Sequence, residues 1–223
     1  MDQPDRGDGG DAGLQRLPPG RHGLPREFVT QNQRDRLAAG MISTVAERGY
    51  HETTISQIAA AAGVSRRTFY SYFDSKEACF LDTFALIEEH LVAVMKDAAE
   101  SERAWSAKVR AQLSVMLGEL AANPDLVRFA LIAPPAAGGA FLERYRLFLE
   151  RLVGVLAAAP PASRSGRPNE GAELAMAGGL ASLIVSKVNA GEGEQLPELL
   201  PELTELVLTP YIGHTRAAEE ARD

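Results

Sequence analysis

The segment TTISQIAAAAGVSRRTFYSYFDSKE, residues 53–77, constrains the fold most, because it has the pattern of two short helices joined by a glycine turn. Thr54 and Gln57 fit a T-x-x-Q capping box, which starts the first helix by pairing its free amide groups. Gly63 suits the position after a helix end, where a left-handed backbone is needed, and Ser65 is a good N-cap for the second helix. Apolar residues at i, i+3, i+4 and i+7 give the first helix one buried stripe: Ile55, Ile58, Ala59 and Ala62. This is the helix-turn-helix layout, in which the second helix enters the DNA major groove.

A helical wheel of the second helix predicts which side chains face DNA. Phe69 and Phe73 are four residues apart, so both point inward. The opposite face and its shoulders carry Arg67, Ser71, Thr68 and Tyr70. Arginine reads guanine bidentately, and hydroxyl groups bind phosphates or base edges. Three flanking side chains are better placed for the sugar-phosphate backbone: Arg66, Tyr72 and Lys76.

An ordinary surface helix with two arginines is the alternative to DNA binding. It is disfavoured because aromatic side chains with hydroxyl groups gain little on a solvated face that has no partner. The net charge of −7 argues against DNA binding, but the charge is unevenly distributed. Residues 16–76 hold nine basic and five acidic groups, a balance of +4, whereas residues 81–223 hold 13 basic and 20 acidic groups, a balance of −7. The positive end of the chain is therefore the helix-turn-helix end, as DNA binding requires.

The residues around this motif predict an arm and two longer helices. Residues 1–25 contain six Gly and four Pro and should form a disordered arm. Arg21 and Arg26 at its end could reach a minor groove, and a solvated tail without contacts is the alternative. A first helix is expected from Arg26 until Gly49 ends it. Asp74 resembles the cap of a long helix whose apolar stripe is Phe80, Phe84, Ile87, Leu91 and Met95.

Residues 26–84 resemble the N-terminal domain of the TetR/AcrR family of transcriptional regulators. The matching pieces are Gly49-Tyr50, Thr53-Thr54-Ile55, Ile58-Ala59, Ala62-Gly63-Val64-Ser65, Thr68-Phe69-Tyr70, Tyr72-Phe73 and Ser75-Lys76-Glu77. The resemblance implies an all-α dimer with this DNA-binding domain and a divergent C-terminal domain for an effector. Carried onto this chain, the family's usual DNA-contacting positions are Thr54, Ser65 to Thr68, Tyr70 to Tyr72, and Lys76.

The remainder of the chain predicts further amphipathic helices. One covers Trp105 to Ala121, a short one follows Pro124, and Pro134-Pro135 with Gly138-Gly139 should break it. A helix after Phe141 is apolar on two faces and should be central, and residues 159–168 should form a loop. We therefore divide the chain into a disordered arm (1–25), a three-helix DNA-binding domain (26–73), a helical ligand-binding and dimerisation domain (74–215) and a tail (216–223).

Two late apolar helices, from Glu170 to Ala190 and from Leu196 to Ile212, are expected to form half of a four-helix bundle between two protomers. The resembled family pairs its last two long helices this way, and a two-fold pair matches a palindromic operator. The predicted interface is Leu174, Ala177, Gly178, Ala181, Ile184, Leu199, Leu203 and Leu206. The alternative is that these residues only complete the core of one protomer.

A pocket between the helices of the C-terminal domain is the expected effector site, because small-molecule sites favour apolar space with a few polar groups. Candidate lining residues are Met95, Trp105, Leu113, Met116, Leu117, Arg128, Phe129, Tyr145, Phe148 and Met176. Tyr145 and Arg128 would supply the polar groups. The alternative is that most of these side chains are ordinary core.

Neither catalysis nor a metal or cofactor site is predicted. The four histidines are scattered without metal-ligand spacing, and no nucleophile or phosphate-binding motif occurs. Neither an 18-residue apolar run nor a secretory signal is visible, so we expect a cytoplasmic protein without a membrane partner. The single cysteine, Cys79, should be a buried structural thiol.

Together these patterns predict a homodimeric repressor that binds a double-stranded palindromic operator and is released by a small, largely apolar effector. A helix-turn-helix regulator without a small-molecule ligand, controlled by a protein partner or constitutive, is the second hypothesis. An all-α enzyme carrying this motif is the third.

Overall fold

The computed structural model describes residues 26–158 and 170–222, with side chains for residues 32–158 and 171–222. Over these ranges the chain forms helices and turns and no strand. The predicted arm with Arg21, the predicted loop 159–168 and the side chain of Arg26 lie outside the described residues.

Three N-terminal helices pack into one unit: α1 (Arg26–Glu52), α2 (Ile55–Ala61) and α3 (Arg66–Tyr70). The apolar side of α1 is buried in the same core as α2 and α3, through Leu37, Met41 and Val45. The helical path of α1 breaks at Gly49, where φ is 77° and ψ is 162°. Residues other than glycine rarely adopt this backbone conformation. The predicted break of the helix at Gly49 is therefore confirmed.

A long helix, α4 (Lys76–Glu100), runs from this unit into the rest of the chain. Its N-cap is Ser75, whose hydroxyl accepts a hydrogen bond from the Ala78 amide at 3.0 Å. The prediction that Asp74 is the cap was therefore wrong by one residue. The predicted stripe of α4 is buried in full, as Phe80, Phe84, Ile87, Leu91 and Met95.

The chain continues with α5 (Trp105–Ala122), α6 (Pro124–Val127), a π-helical turn (Arg128–Ile132) and α7 (Ala133–Ala137). Pro134 and Pro135 do not break this region, contrary to the prediction. They lie at the start of α7, where a missing backbone amide costs least. The change of direction comes instead at Gly138 and Gly139, whose φ angles are 69° and 56°.

Three longer helices and two short ones complete the C-terminal domain: α8 (Ala140–Leu156), α9 (Glu170–Asn189), a 3₁₀ helix (Gly193–Leu199), α10 (Leu200–Ile212) and α11 (His214–Glu220). The predicted tail from residue 216 is instead mostly α11. Ala217 and Ala221 are buried, and the Arg110 guanidinium donates to the Ala221 carbonyl at 2.7 Å. Residues 214–222 therefore pack onto the C-terminal domain.

The residues predicted for the dimer interface lie on α9, at the end of the 3₁₀ helix and on α10, and they divide into a buried and a partly exposed set. Five are buried within a single protomer and leave little surface for a second copy: Ala177, Ala181, Ile184, Leu199 and Leu203. Three keep some exposure: Leu174, Gly178 and Leu206. The first five therefore pack mainly in the protomer's own core, and the sequence pattern did not indicate this because these helices are apolar on more than one side. The dimer interface itself stays a prediction.

The segment Gly171–Asn189 of α9 is long and apolar enough to cross a membrane by length and composition alone, with a mean hydropathy of 1.3. Only 33% of that window is buried within the protomer. The core helix of a soluble protein can be equally long and apolar, so the length and hydropathy of α9 are weak evidence for a membrane span.

Cys79 is fully buried, as predicted, and burial raises the pKa of its thiol to about 12. Because the thiolate is the reactive form, the folded protein should not react with a thiol reagent at about pH 8. The same reagent should label one thiol per chain in denaturant, since Cys79 is the only cysteine. Rapid labelling of the native protein would contradict this prediction.

Candidate nucleic-acid interface

Side-chain caps fix the positions of α2 and α3. The Thr54 hydroxyl accepts from the Gln57 amide at 3.3 Å, and Gln57 Oε1 accepts from the Thr54 amide at 2.8 Å. Gly63, with φ of 62°, makes the turn between the two helices. The Ser65 hydroxyl accepts from the Thr68 amide at 3.0 Å. The predicted capping box, glycine turn and N-cap are confirmed, and the hydroxyls of Thr54 and Ser65 have a structural role besides any DNA contact.

The backbone of α2 lies directly on α1 at Gly40. A Cβ atom at Gly40 would lie 2.8 Å from the Ile58 carbonyl oxygen and 2.9 Å from the Ala62 amide nitrogen. One turn earlier on α1, the buried Arg36 donates to the Gly63 carbonyl at 2.9 Å and also to the Ala62 carbonyl. These carbonyls are among the groups that a helix end leaves unpaired. The motif itself did not reveal Gly40 or Arg36, although a glycine inside a helix is a signal of close packing.

The exposed side of α3 is the side that the helical wheel predicted. Arg66, Arg67 and Tyr70 are exposed, and the Tyr70 side chain is 48% accessible. Phe69 is fully buried on the opposite side. Neither arginine has an ion pair with another described side chain. The two guanidinium groups are therefore free to bind an anionic partner.

Two other predicted contact residues already make hydrogen bonds within the protein. The Ser71 hydroxyl, at the end of α3, donates to the Thr68 carbonyl at 2.6 Å. The hydroxyl of the half-buried Tyr72 donates to Gln33 Oε1 at 2.9 Å, which ties the end of α3 to α1. Both side chains retain some exposure and remain candidates for phosphate contact.

Lys76 has a different environment from the one predicted. Its ammonium group donates to the carbonyls of Tyr50 and Thr53 at 2.7 and 2.8 Å, and lies 4.2 Å from the centroid of the Tyr50 ring. Burial lowers the pKa of Lys76, and the Glu52 carboxylate opposes this shift. Beyond the Gly49 break, Lys76 is the donor to the Thr53 carbonyl and a second donor, besides the Thr53 amide, to the Tyr50 carbonyl. We therefore correct its role from a phosphate contact to a clamp between α1 and α4.

Replacing Lys76 by methionine should lower the free energy of unfolding by about 1–2 kcal/mol, because the Thr53 carbonyl loses its donor and the Tyr50 carbonyl keeps only the Thr53 amide at 3.3 Å. Thermal denaturation would measure this. The matched control is Lys96→Met, which removes an exposed lysine from α4 and should change stability little. Equal melting temperatures for the two variants would contradict the clamp.

The positive charge counted in the sequence is only partly available to DNA. Arg34 is paired with Asp82, with Nε 3.0 Å from Oδ2, and Arg48 is paired with Glu47 at 2.9 Å. Arg36 is buried. Among the described side chains of the N-terminal unit, Arg66 and Arg67 therefore carry the exposed positive charge of this surface.

The C-terminal domain contains an apolar cavity, but few of the residues predicted for the effector pocket line it. An apolar cavity of about 40 Å³ lies among α4, α5, α8 and α9, and only Met116 and Phe148 of the predicted residues line it. The others in contact with it include Leu91 and Leu156. Five predicted lining residues are buried core and do not line it: Met95, Leu113, Leu117, Phe129 and Met176.

The three polar or amphipathic pocket candidates lie elsewhere. Arg128 is exposed and pairs with Asp125 at 3.1 Å. Tyr145 is half-buried, and burial raises its pKa. Trp105 lines a separate groove. Among the residues that the structure describes, no group of three or more His, Cys, Asp or Glu side chains could hold a metal ion.

The described helices place two free arginines on the second helix of a helix-turn-helix motif. One long helix, α4, joins this motif to a second helical domain. These features define a class of protein, the helix-turn-helix regulators with two helical domains. Residues 42–83 match the family described as bacterial regulatory proteins, tetR family. This segment is therefore similar to the DNA-binding segment of the tetR family of transcriptional regulators, and relatives and solved structures of that family resemble the rest of the chain. This family consists of regulators, which are generally not enzymes.

Two curated relatives are similar over part of the chain. The HTH-type transcriptional regulator TcmR of Streptomyces glaucescens is 30% identical over 136 residues, which is 59% of this chain and 60% of TcmR. The fatty acid metabolism regulator protein of Bacillus subtilis is 28% identical over 82 residues, or 35% of this chain and 42% of that protein. The chain thus spans less than two thirds of the length of each relative.

Two solved structures have the same fold over most of the chain. The fatty acid degradation regulator FadR from Bacillus halodurans has a TM-score of 0.70 at 20% identity, covering 78% of this chain and 97% of that one. FadR from Bacillus subtilis, in complex with stearoyl-CoA, has a TM-score of 0.64 at 20% identity, covering 79% and 98%. At this identity the likeness establishes the fold alone.

Proposed function

We propose that the protein is a homodimeric repressor that binds a palindromic operator and is released by a small, largely apolar effector. The observation that carries the DNA-binding part is the exposed face of α3. It presents Arg66, Arg67 and Tyr70 without internal ion pairs, on a helix whose start is capped and whose inner face is anchored by Phe69. Two such helices related by a two-fold axis would read two half-sites about one helical turn apart.

Selection of binding sequences from random double-stranded DNA tests this part of the proposal. We expect an enriched palindrome with two half-sites, confirmed by a gel shift on the DNA beside the gene. Enrichment of no sequence, or of a single asymmetric site, would contradict it. Salt titration would add a control, because affinity should fall with ionic strength as phosphate contacts release counterions.

The outer side of α9 and α10 supports the dimer. About two thirds of the apolar Gly171–Asn189 window is left unburied in one protomer. Gly178 has no atom within 4 Å of the position that a Cβ would occupy. A small-residue surface of this kind permits close approach of a second helix, as an isologous interface requires.

Leu206→Glu should convert the dimer to a monomer, because Leu206 is partly exposed on α10 beside Gly179 of α9. A carboxylate buried at a two-fold contact would face its own copy and lose hydration. Sedimentation velocity measures the outcome, with Leu142→Glu as the matched control on exposed α8 surface. Dissociation by both variants, or by neither, would contradict the assigned face.

The apolar cavity supports an apolar effector, and its size supports a conformational mechanism. At about 40 Å³ it is far smaller than the roughly 300–1,000 Å³ of ligand pockets. FadR from Bacillus subtilis, which has the same fold, was solved in complex with stearoyl-CoA, and this supports an effector with an apolar chain. An effector would therefore bind a minor, expanded form and shift the population toward it.

The helix α4 is the expected link between the cavity and DNA. Leu91 of α4 lines the cavity, and the buried Glu88 of α4 bonds Arg144 and Arg151 of α8, the latter at 2.7 Å. Expansion between α4 and α8 would tilt α4 and change the spacing of the two recognition helices, so operator affinity would fall. The small cavity also favours the second hypothesis, a regulator without a small ligand. Loss of operator binding when an apolar compound is added would support the ligand-responsive repressor. Unchanged operator binding with every apolar compound would support the regulator without a small ligand.

A further inference from the structure

A solvent-accessible groove of about 630 Å³ lies beside the apolar cavity. It is formed by the second half of α4, the start of α5 and the end of α8. Leu156 lines both the groove and the cavity, so the two spaces meet at this side chain. A molecule with a polar head and an apolar chain could occupy both at once if Leu156 moved aside.

The groove carries an excess of positive charge, although residues 81–223 as a whole are acidic. Lys96, Lys108 and Arg151 line it, and Glu100 is the opposing acid. Neither lysine has an ion pair with another side chain in the described part of the chain. Arg151 bonds Glu88, but Glu88 is shared with Arg144. The positive groups of the groove are therefore only partly neutralised by the protein.

Two further side chains give the groove the character of a binding site. Gln112 lines it, is only 5% exposed, and makes no hydrogen bond with the described residues. Its amide is therefore available to hydrogen-bond a ligand atom in the groove. The Trp105 ring forms part of the wall, and its indole N–H donates to the Leu156 carbonyl at 3.2 Å. This bond holds the ring where the groove meets the cavity.

We propose that this groove binds the anionic head group of an amphipathic effector whose aliphatic chain enters the apolar cavity. The inference rests on the effector function proposed above and specifies its ligand class: a carboxylate or phosphate joined to an aliphatic chain. Lys96 and Lys108 bind the anion, and Gln112 hydrogen-bonds it. The anion also competes with Glu88 for Arg151, which would loosen the contact between α4 and α8.

Fluorescence titration tests the proposal, because Trp105 is the only tryptophan of the chain. The probes are dodecanoate, dodecyl phosphate, lauroyl-CoA and the uncharged dodecanol, each below its micellar concentration. We expect the anionic compounds to bind at least roughly tenfold more tightly than dodecanol. The double variant Lys96→Met/Lys108→Met should lose this preference and bind dodecanol as before, and Gln112→Leu should weaken anion binding alone. Arg48→Met, which removes a basic side chain from the DNA-binding domain, is the control and should bind all four probes normally.

The outcomes separate this inference from the function on which it rests. Equal binding of dodecanol and the anions, or an unchanged preference in the double variant, overturns the head-group site while leaving an effector cavity. Failure of all four probes to bind or to release the operator overturns both proposals. If the anions are preferred, the tightest probe identifies the head group as a free carboxylate, a simple phosphate or the phosphates of a coenzyme A thioester.

Discussion

Replacing Arg67 by alanine is expected to weaken specific operator binding by about 1–3 kcal/mol, roughly 5- to 150-fold. Arg67 is exposed on the outer face of α3 and has no ion pair among the described side chains. A guanidinium at this position can bond guanine O6 and N7 together, and alanine leaves that base edge without a partner. The measurement is a binding isotherm on the selected operator and on variants with a changed base in each half-site.

The matched control for this experiment is Arg216→Ala, which removes a largely exposed arginine from α11. It should leave operator affinity unchanged. Arg67→Ala should also flatten the difference between the operator and its base variants, because a base contact is lost and phosphate contacts remain. Unchanged affinity and unchanged base preference would show that Arg67 does not read a base. A uniform loss on every sequence would assign it to the phosphates instead.

Replacing Gly40 by alanine is expected to lower the free energy of unfolding by about 1–3 kcal/mol, and valine should cost more. The new Cβ would lie under 3.0 Å from two backbone atoms of α2, at Ile58 and Ala62. Backbone atoms cannot rotate away as a flexible side chain can, so α2 must move off α1. Because α2 sets the position of α3, operator affinity should fall together with stability.

Gly118→Ala is the matched control and should change stability in the opposite direction. Gly118 is an exposed glycine within α5, and nothing lies within 4 Å of the position that its Cβ would occupy. Alanine in a helix interior is favoured over glycine by about 0.5–1 kcal/mol. Thermal melts of both variants and of the parent measure the contrast. Equal or reversed effects would show that α1 and α2 can separate without strain.

The local structure of the DNA-binding unit could be predicted because its signals lie within a few residues of each other. The Thr54 and Ser65 caps, the left-handed Gly63 and the inward Phe69 depend on hydrogen bonds and spacings inside one helix or turn. The same reasoning failed for Lys76. Its partners, the carbonyls of Tyr50 and Thr53, are more than 20 positions earlier in the chain, and no short-range pattern indicates them.

The predictions for the C-terminal domain were correct about the helices and less so about their faces. Its apolar helices were expected, but Ala177, Ala181 and Ile184 line the protomer's own cavity, and they are not on the side left open for a second copy. A helix that is apolar on most sides gives a weak periodic signal, so neighbouring helices decide which side is buried. The proline-containing α7 and the packing of α11 also depend on tertiary contacts.

The sequence by itself determined the elements whose causes are local: helix starts and ends, the glycine turn and the outward residues of α3. It also indicated the resemblance to the tetR family, since the matching residues lie in one continuous segment. The tertiary structure alone decided which charged groups remain free, because Arg34, Arg36 and Lys76 have partners distant in the chain. It also decided that Lys96, Lys108 and Gln112 share a groove next to the cavity. Partners that are far apart in sequence meet only when helices pack, so their charges and hydrogen bonds cannot be assigned before the fold is known.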